Sequence, residues 1–320
     1  YAPRSGDALY RWARATGESL ELLEELHLIA RNKEQGTFYD FMRDRLVYPI
    51  RDARRNVIGF TARDLSGQSP AKYVNSAESE VYHKARSIYG YEPFVNGEAM
   101  RKEQYILVEG AADAVKMHSV GVLNVVAPLG GSWTDEQFAM LRKHAPAVCF
   151  INDADPAKEG ETFGAGIQYV MANGRRALAA GLKVSVRELP LGAGGEKQDP
   201  GSYFTNKGHL SVLDELSFVH WYALKVWDKG ANINQKADLI QQISEVASYI
   251  TDENQLSLLL DELVKLRRGT EFWRNAINRE KWKRLDAATA RTKEISLRTF
   301  GFVEERGCYY GLTDKADVQW

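Results

Sequence analysis

Cysteine is almost absent: Cys149 and Cys308 are the only two in 320 residues. Two thiols so far apart supply neither a zinc ribbon nor a disulfide framework, and a reducing, cytoplasmic setting is expected. Long hydrophobic runs are missing too. Apolar stretches last a few residues, far short of the ~20 that a membrane-spanning helix needs, and nothing at the start has the pattern of a signal peptide. A charge surplus is also lacking, since 42 Lys and Arg face 43 Asp and Glu for a net charge of -1. That removes a global basic signal for nucleic acid but leaves local patches open, because phosphate binding depends on where the bases lie. Tyr1 stands where a start methionine would, so the chain reads as a piece cut from something longer. There is no internal repeat, no low-complexity tract, no Ser-His-Asp pattern and no second metal-ligand set.

What is present is enough apolar material, 44%, to build the cores of two or three domains. Residues 1–40, dense in leucine from Leu20 to Leu28, are expected to be helical. From 46 to 64, "LVYPI", "RDARRN" and "VIGFTARD" predict a hairpin. Residues 41–90 hold nine Lys and Arg against five Asp and Glu, a local surplus of four. From 104 the texture changes to short apolar runs ("QYILVE", "VLNVVAPLGG", "AVCFIN", "LKVSVREL") alternating with helical stretches. One of these opens on Thr134 as a helix N-cap, and another spans 160–180. Such alternation predicts a parallel sheet flanked by helices, with ligands outside the carboxyl ends of its strands. Residues 209–290 carry three- and four-residue apolar spacing and are expected to be helical, with Trp221, Trp227, Trp273 and Trp282 as packing residues. After 297 a hairpin begins a further, truncated module.

The acids fall in a pattern. Glu109 ends the first apolar run, Asp153 and Asp155 follow the third, and Asp199 follows the fourth after a glycine-containing loop. The topology brings these four carboxylates to one edge of one sheet. Like charges held close raise one another's pKa unless a cation lies among them. An Asp-x-Asp leaving a strand aims both side chains at one point, as a Mg2+ or Mn2+ site bound through carboxylates and substrate phosphates requires. The bland alternative is a pair of solvated loop acids where Asp155-Pro156 starts a turn.

"LVEGAADAV", "VVAPLGG", "CFINDADPA" and "KQDPGSYF" resemble, in order and spacing, the Toprim domain of bacterial primases, topoisomerases and several nucleases. Upstream, "YDFMRDRLVYPIRDARRNVIGFTARDL", "KYVNSAES" and "VYHKARSIYG" resemble the basic subdomain that precedes Toprim in DnaG-type primases and is absent from topoisomerases. The resemblance covers about residues 1–210. It implies an α/β fold: a Toprim-type parallel sheet flanked by helices, preceded by a mixed α+β basic subdomain and followed by a helical one. The expected divisions are 1–103, 104–208, 209–296 and 297–320. The implied activity is primase chemistry, in which RNA primers are made from ribonucleoside triphosphates on single-stranded DNA with Mg2+ or Mn2+. Position by position, the resemblance makes Glu109, Asp153 and Asp155 catalytic and metal-binding. It places Asp199 with the metal ligands, makes Asp113 a further acidic position, and sets Arg63, Lys72, Asn75 and Lys84 against template or nucleotide. A zinc-binding domain normally precedes such a core, and a replicative helicase is the implied protein partner of the 209–320 region.

Two departures bear on this. Gly201 stands where the family usually has a second acid after Asp-Pro, and the glycine after Asp-x-Asp is displaced to Gly160. Two other readings therefore stay open: a Toprim nuclease or topoisomerase, and a catalytically weakened nucleic-acid-binding module attached to a helicase. Among the remaining features, the bases of 43–63 could track a nucleic-acid backbone, with Arg54 and Arg55 as plain surface residues of the turn. Tyr48, Phe60, Tyr73, Tyr82 and Tyr89 could offer stacking faces, although most of the tyrosines are expected in the core. His83 is expected to be structural. The glycines of "PLGGS" serve either a phosphate or a tight strand-to-helix turn.

Overall fold

The structure is a computed structural model that describes residues 1–311 apart from 33, 207, 229–231, 267–268, 300–301 and 306–307, with side chains described through 292. The chain divides into two compact units, Tyr1–Phe218 and Val219–Trp320.

The first unit does not open on continuous helix. It has two short helices, α1 (Ala8–Thr16) and α2 (Leu20–Glu25), then an antiparallel ribbon of β1 (Ile29–Arg31) and β2 (Phe38–Asp40). The expectation of helix through residue 40 fails for local reasons. Gly17 ends α1 at φ 76, and the Ser19 side chain caps α2 by accepting from Leu22 N. The leucine-rich α2 buries none of its residues, so no apolar face extends it. The predicted hairpin is present as β3 (Arg45–Arg51) and β4 (Val57–Asp64), and β5 (Tyr73–Asn75) adds a third antiparallel strand. The Asp52 carboxylate closes the turn, accepting from the backbone N–H groups of Arg54 and Asn56.

Next come β6 (Ile88–Tyr89), α3 (Pro93–Lys102), β7 (Gln104–Leu107), α4 (Ala111–Ser119), β8 (Val125–Pro128), α5 (Asp135–Arg142), β9 (Ala147–Phe150), α6 (Ala165–Ala179), β10 (Lys183–Arg187), α7 (Pro200–Thr205) and β11 (Glu215–Ser217). The strands form one six-stranded sheet in the order β11-β10-β9-β7-β8-β6. The four central strands are parallel, and the two edges are antiparallel. Every residue of β8 is buried, as are Tyr105–Leu107 and Val148–Phe150, which suits strands covered on both faces. Each such aliphatic side chain contributes roughly 1.5–3 kcal/mol by leaving water. Thr134 caps α5 as expected, within a full capping box with Gln137. Strand β11 lies in a stretch that periodicity had marked as helix.

The second unit comprises α8 (Phe218–Trp227, whose first residue closes the first unit), α9 (Ile233–Ala247), α10 (Glu253–Val264), α11 (Thr270–Thr299) and an antiparallel hairpin of β12 (Phe302–Glu305) and β13 (Cys308–Gly311). Ile243, Val246, Leu256, Leu260, Leu263, Trp273 and Ile277 are buried in it. Trp221 and Trp273 are packing residues as expected, and Trp227 is half-buried. Trp282 is a correction, because it is 65% exposed on the polar stretch of α11. Among the described residues no helix is long and apolar enough to cross a membrane.

Candidate active site

Strands β7 and β9 are neighbours in parallel register, with Leu107 beside Phe150. The residues that follow them therefore leave the sheet side by side. Glu109 comes two residues after β7 and Asn152 two after β9, and the Asn152 amide donates to Glu109 Oε1 at 3.1 Å. Beyond it, Ala154 and Gln198 exchange backbone hydrogen bonds in an isolated antiparallel bridge. Side chains alternate across an extended backbone, so this bridge sets Asp153, Asp155, Lys197 and Asp199 on one face, opposite Ala154 and Gln198. The predicted convergence of the four acids on one sheet edge is present.

Helix α6 presses directly on this segment. A Cβ at Gly164 would lie 2.0 Å from the Asp155 carbonyl oxygen, and one at Gly166 would lie 2.0 Å from that of Asp153. These two glycines carry the close approach. Gly160, the displaced candidate, has φ 81 in the exposed loop 156–162 and would meet nothing within 4 Å.

The cluster's electrostatics follow from burial and crowding. Burial and then the Asp153 charge push the Glu109 carboxyl above its ordinary value. Asp113 on α4 is pushed up to about 7, first by burial and then by Asp153 and Asp199. Asp199 is affected the other way: the backbone and hydroxyl of Ser202 outweigh its burial and hold it below the usual carboxylate range. The cation that the sequence demanded is supplied by the chain itself. Lys197 Nζ is 2.5 Å from Asp153 Oδ2 and 2.7 Å from Asp155 Oδ1. Burial tends to lower its pKa, but hydrogen bonds to both aspartates push it up.

A second lysine accounts for Gly201. Lys116 Nζ is 3.5 Å from Asp199 Oδ1, and a Cβ at Gly201 would be 2.4 Å from Lys116 Cδ and 3.0 Å from Asp113 Oδ1. The lysine stem thus fills the space that a second acid would need. Among the described residues no three His, Cys, Asp or Glu side chains are drawn together as a ready-made metal cage. The donor chemistry nevertheless fits a hard divalent ion. The donors are all oxygen, and two buried acceptor atoms, Asn152 Oδ1 and Asp153 Oδ1, have no hydrogen-bond partner.

Beside Glu109 a cavity of about 310 Å³ opens between the three-stranded antiparallel sheet and the six-stranded sheet, lined by Thr61, Tyr73, Asn75, Lys84, Glu109–Ala111 and Pro128–Gly131. Asn75 Nδ2 donates to the Leu129 carbonyl at 2.7 Å, tying β5 to the glycine turn. Lys84 Cε lies 3.1 Å from where a Gly130 Cβ would be. Glu78 holds the Lys84 loop, accepting from Lys84 N and lying 3.1 Å from the ring of the exposed His83. Of the four predicted nucleic-acid residues, Asn75 and Lys84 line the cavity. Arg63 is half-buried and lies opposite Tyr73 across β4 and β5, while the exposed Lys72 lies outside the lining. Arg45 is a correction to the backbone-tracking set. It is 7% exposed and spends its guanidinium on the Ala62 and Ala71 carbonyls and the Ser69 hydroxyl. Arg54 and Arg55 are exposed as expected, and Tyr48 and Tyr82 are buried.

Sequence reasoning missed Asn152, Lys116 and Lys197. Lys197 had a usable signal: it is two residues before Asp199, so an extended backbone must put both on one face. For Lys116 the only hint was Gly201 in place of an acid.

A parallel-rich sheet with acids at its carboxyl edge, preceded by an antiparallel sheet, is the architecture that the resemblance to the Toprim domain implies. Comparison with known proteins makes this specific. Residues 1–94 match the family model for the N-terminal domain of the DNA primase catalytic core, and residues 106–204 match the Toprim-like model. The DNA primase of Staphylococcus aureus is 30% identical over 227 residues, covering 69% of this chain and 35% of that protein. The zinc-binding and RNA polymerase domains of the Aquifex aeolicus primase superpose with a TM-score of 0.65 at 26% identity, over 85% of this chain and 63% of that one. A DNA primase domain from Pseudomonas aeruginosa gives a TM-score of 0.65 at 25% identity, over 87% and 85%. The chain belongs to the family of DnaG-type DNA primases, carrying their N-terminal catalytic-core domain followed by a Toprim-like domain. It spans about a third of the length of the first curated relative.

Proposed function

We propose that this chain is the primer-synthesising core of a DNA primase, joining ribonucleotides on a single-stranded DNA template. The observation that carries the reading is the cavity in which Glu109 from the sheet edge meets Lys84 and Asn75 from the basic subdomain. A triphosphate needs both, with bases to bind its phosphates and an acidic edge to hold its metal. Glu109, Asp153 and Asp155 are the residues that would hold Mg2+ or Mn2+. Such an ion neutralises phosphate charge and lowers the pKa of an attacking hydroxyl.

The chain's own residues do the rest. Lys84 attracts the phosphates as a compact charge. The glycines at 130 and 131 keep the wall next to it open, and Asn75 fixes that wall through Leu129. Asn152 orients the Glu109 carboxyl by donating its side-chain amide to Oε1. The exposed Lys72 offers a backbone contact to a template, while Arg54 and Arg55 stay plain surface residues of the turn. A second reading, a nucleic-acid-binding module with weakened catalysis, is favoured by Lys116 taking the place of an acid at Gly201.

Synthesis of labelled RNA from ribonucleotides on single-stranded DNA with Mg2+ or Mn2+ separates the two. The enzyme reading expects primers from the parent chain. It also expects a loss of about 100-fold or more in Asp155→Asn, the size seen when charge stabilisation is removed from an active site. Stability should change by no more than about 1 kcal/mol, because the lost partner is a half-exposed lysine. Template binding without any primer would favour the second reading.

A further inference from the structure

We infer that Lys197 is a tethered counter-cation that occupies the cation position between Asp153 and Asp155, and that a divalent ion must displace its ammonium to bind. The inference rests on the metal-site reading above and deepens it.

Three observations carry it. One ammonium serves both carboxylates, at 2.5 and 2.7 Å, so it stands where a cation shared by the pair would stand. The placement is built into the backbone, because the bridge between Ala154 and Gln198 puts Lys197 opposite Asp155 and on the face that Asp153 also shares. The lysine also comes from the solvent side. Its side chain is 52% exposed, against 12% and 15% for Asp153 and Asp155, so it can leave without opening the core. The loop that delivers it contains Gly194 and Gly195 in left-handed conformations that other residues rarely adopt. A crowded set of acids with a movable internal cation stays folded without metal, and it binds metal more weakly than the same acids alone.

The test is Mn2+ binding to the full chain without nucleotide, followed through the electron paramagnetic resonance signal of free Mn2+. Lys197→Met removes the charge and keeps the stem, and it should bind Mn2+ at least about tenfold more tightly than the parent, the size expected for one unit charge a few ångströms away. Lys197→Arg keeps the competing charge and should bind no more tightly than the parent. Thermal melting gives a second readout. In chelator Lys197→Met should melt below the parent, with its two aspartates facing each other unpaired, and Mn2+ should raise its melting temperature more than the parent's. If Lys197→Met does not fold in chelator, Lys197→Gln retains a hydrogen-bond donor without the charge and takes its place in the titration.

Asp155→Asn, alone and combined with Lys197→Met, separates this inference from the reading it rests on. If Asp155→Asn abolishes Mn2+ binding while Lys197→Met leaves it unchanged or weaker, the ion binds beside the lysine and the displacement idea is overturned. If Asp155→Asn changes nothing in either background, the metal-site assignment itself fails.

Discussion

Lys84 and Lys116 show how little residue type says about role. Both are lysines packed against a glycine. Lys84 is exposed beside Gly130, whereas Lys116 is half-buried against Asp199. Replacing Lys84 with Ala should weaken single-stranded DNA or nucleotide binding and make the slope of log affinity against log salt shallower by about 0.7 to 1. The melting temperature should hardly move. Unchanged binding with a large thermal loss would instead make Lys84 a structural residue. His118 gives a pH test away from the acids. Its ring faces the Val125 carbonyl at 2.9 Å, and burial lowers its pKa from the ordinary 6.5, with the Val125 carbonyl and Glu92 opposing. The unfolded chain therefore takes up a proton there before the folded one does. Stability from this group is fully present above about pH 6.5 and is lost as pH falls through that value toward the lower folded pKa. Urea melts between pH 5 and 8 should show the decline, and His118→Gln should flatten it. A parent profile unaffected by the substitution would mean that the ring stays neutral for no energetic reason.

At the scale of elements, the alternation of short apolar runs with helices was enough to place the central strands and the acids after them. That pattern depends only on burial on both faces, which leaves its mark in every residue of β8. The strands at the margins were not legible. Strand β11 is three residues long and only half-buried at Leu216, and β1 and β2 pair across a turn with no alternating face, so neither leaves a periodic trace. The packing glycines escaped for a different reason. The sequence offers Gly160, Gly164 and Gly166 after the aspartates, and only the approach of α6 decides between them. That approach yields a prediction. Gly166→Ala, which drives a Cβ into the Asp153 carbonyl, should cost about 1–3 kcal/mol or more by overpacking. Gly160→Ala is in an exposed loop and should cost only the ~1–2 kcal/mol of a left-handed backbone. Chemical denaturation of both variants checks the order, and equal losses would show that α6 has room to shift.

Across the whole molecule, the division after Phe218 assigns β11 to the first unit. Glu215 on that strand accepts from Gln104, Ser185 and Arg187, joining three strands at the sheet edge. Phe218 lies so close to Gly174 of α6 that a Cβ there would fall 2.3 Å from its ring. A fragment of residues 1–218 should accordingly melt as one cooperative unit, whereas a fragment of residues 1–208 leaves the β10 edge unpaired and should melt several degrees lower. Calorimetry on the two fragments distinguishes them, and matching transitions would show that the last ten residues add nothing. Periodicity does not register these contacts, because they join residues 28 to 111 positions apart.

Cys149 lies in the middle of β9, fully buried, four residues before Asp153, and burial pushes its thiol up to about 12. Such a thiol is closed to alkylating reagents while the sheet is intact, since the reactive thiolate neither forms nor meets the reagent. With Cys308 replaced by Ser, the labelling rate at Cys149 becomes a clock for how often the strand that carries the aspartates opens. If Mn2+ slows that clock in proportion to its occupancy, the ion is holding the central strand shut. If labelling is indifferent to Mn2+, the sheet edge binds its ligands on a scaffold that was already rigid without them.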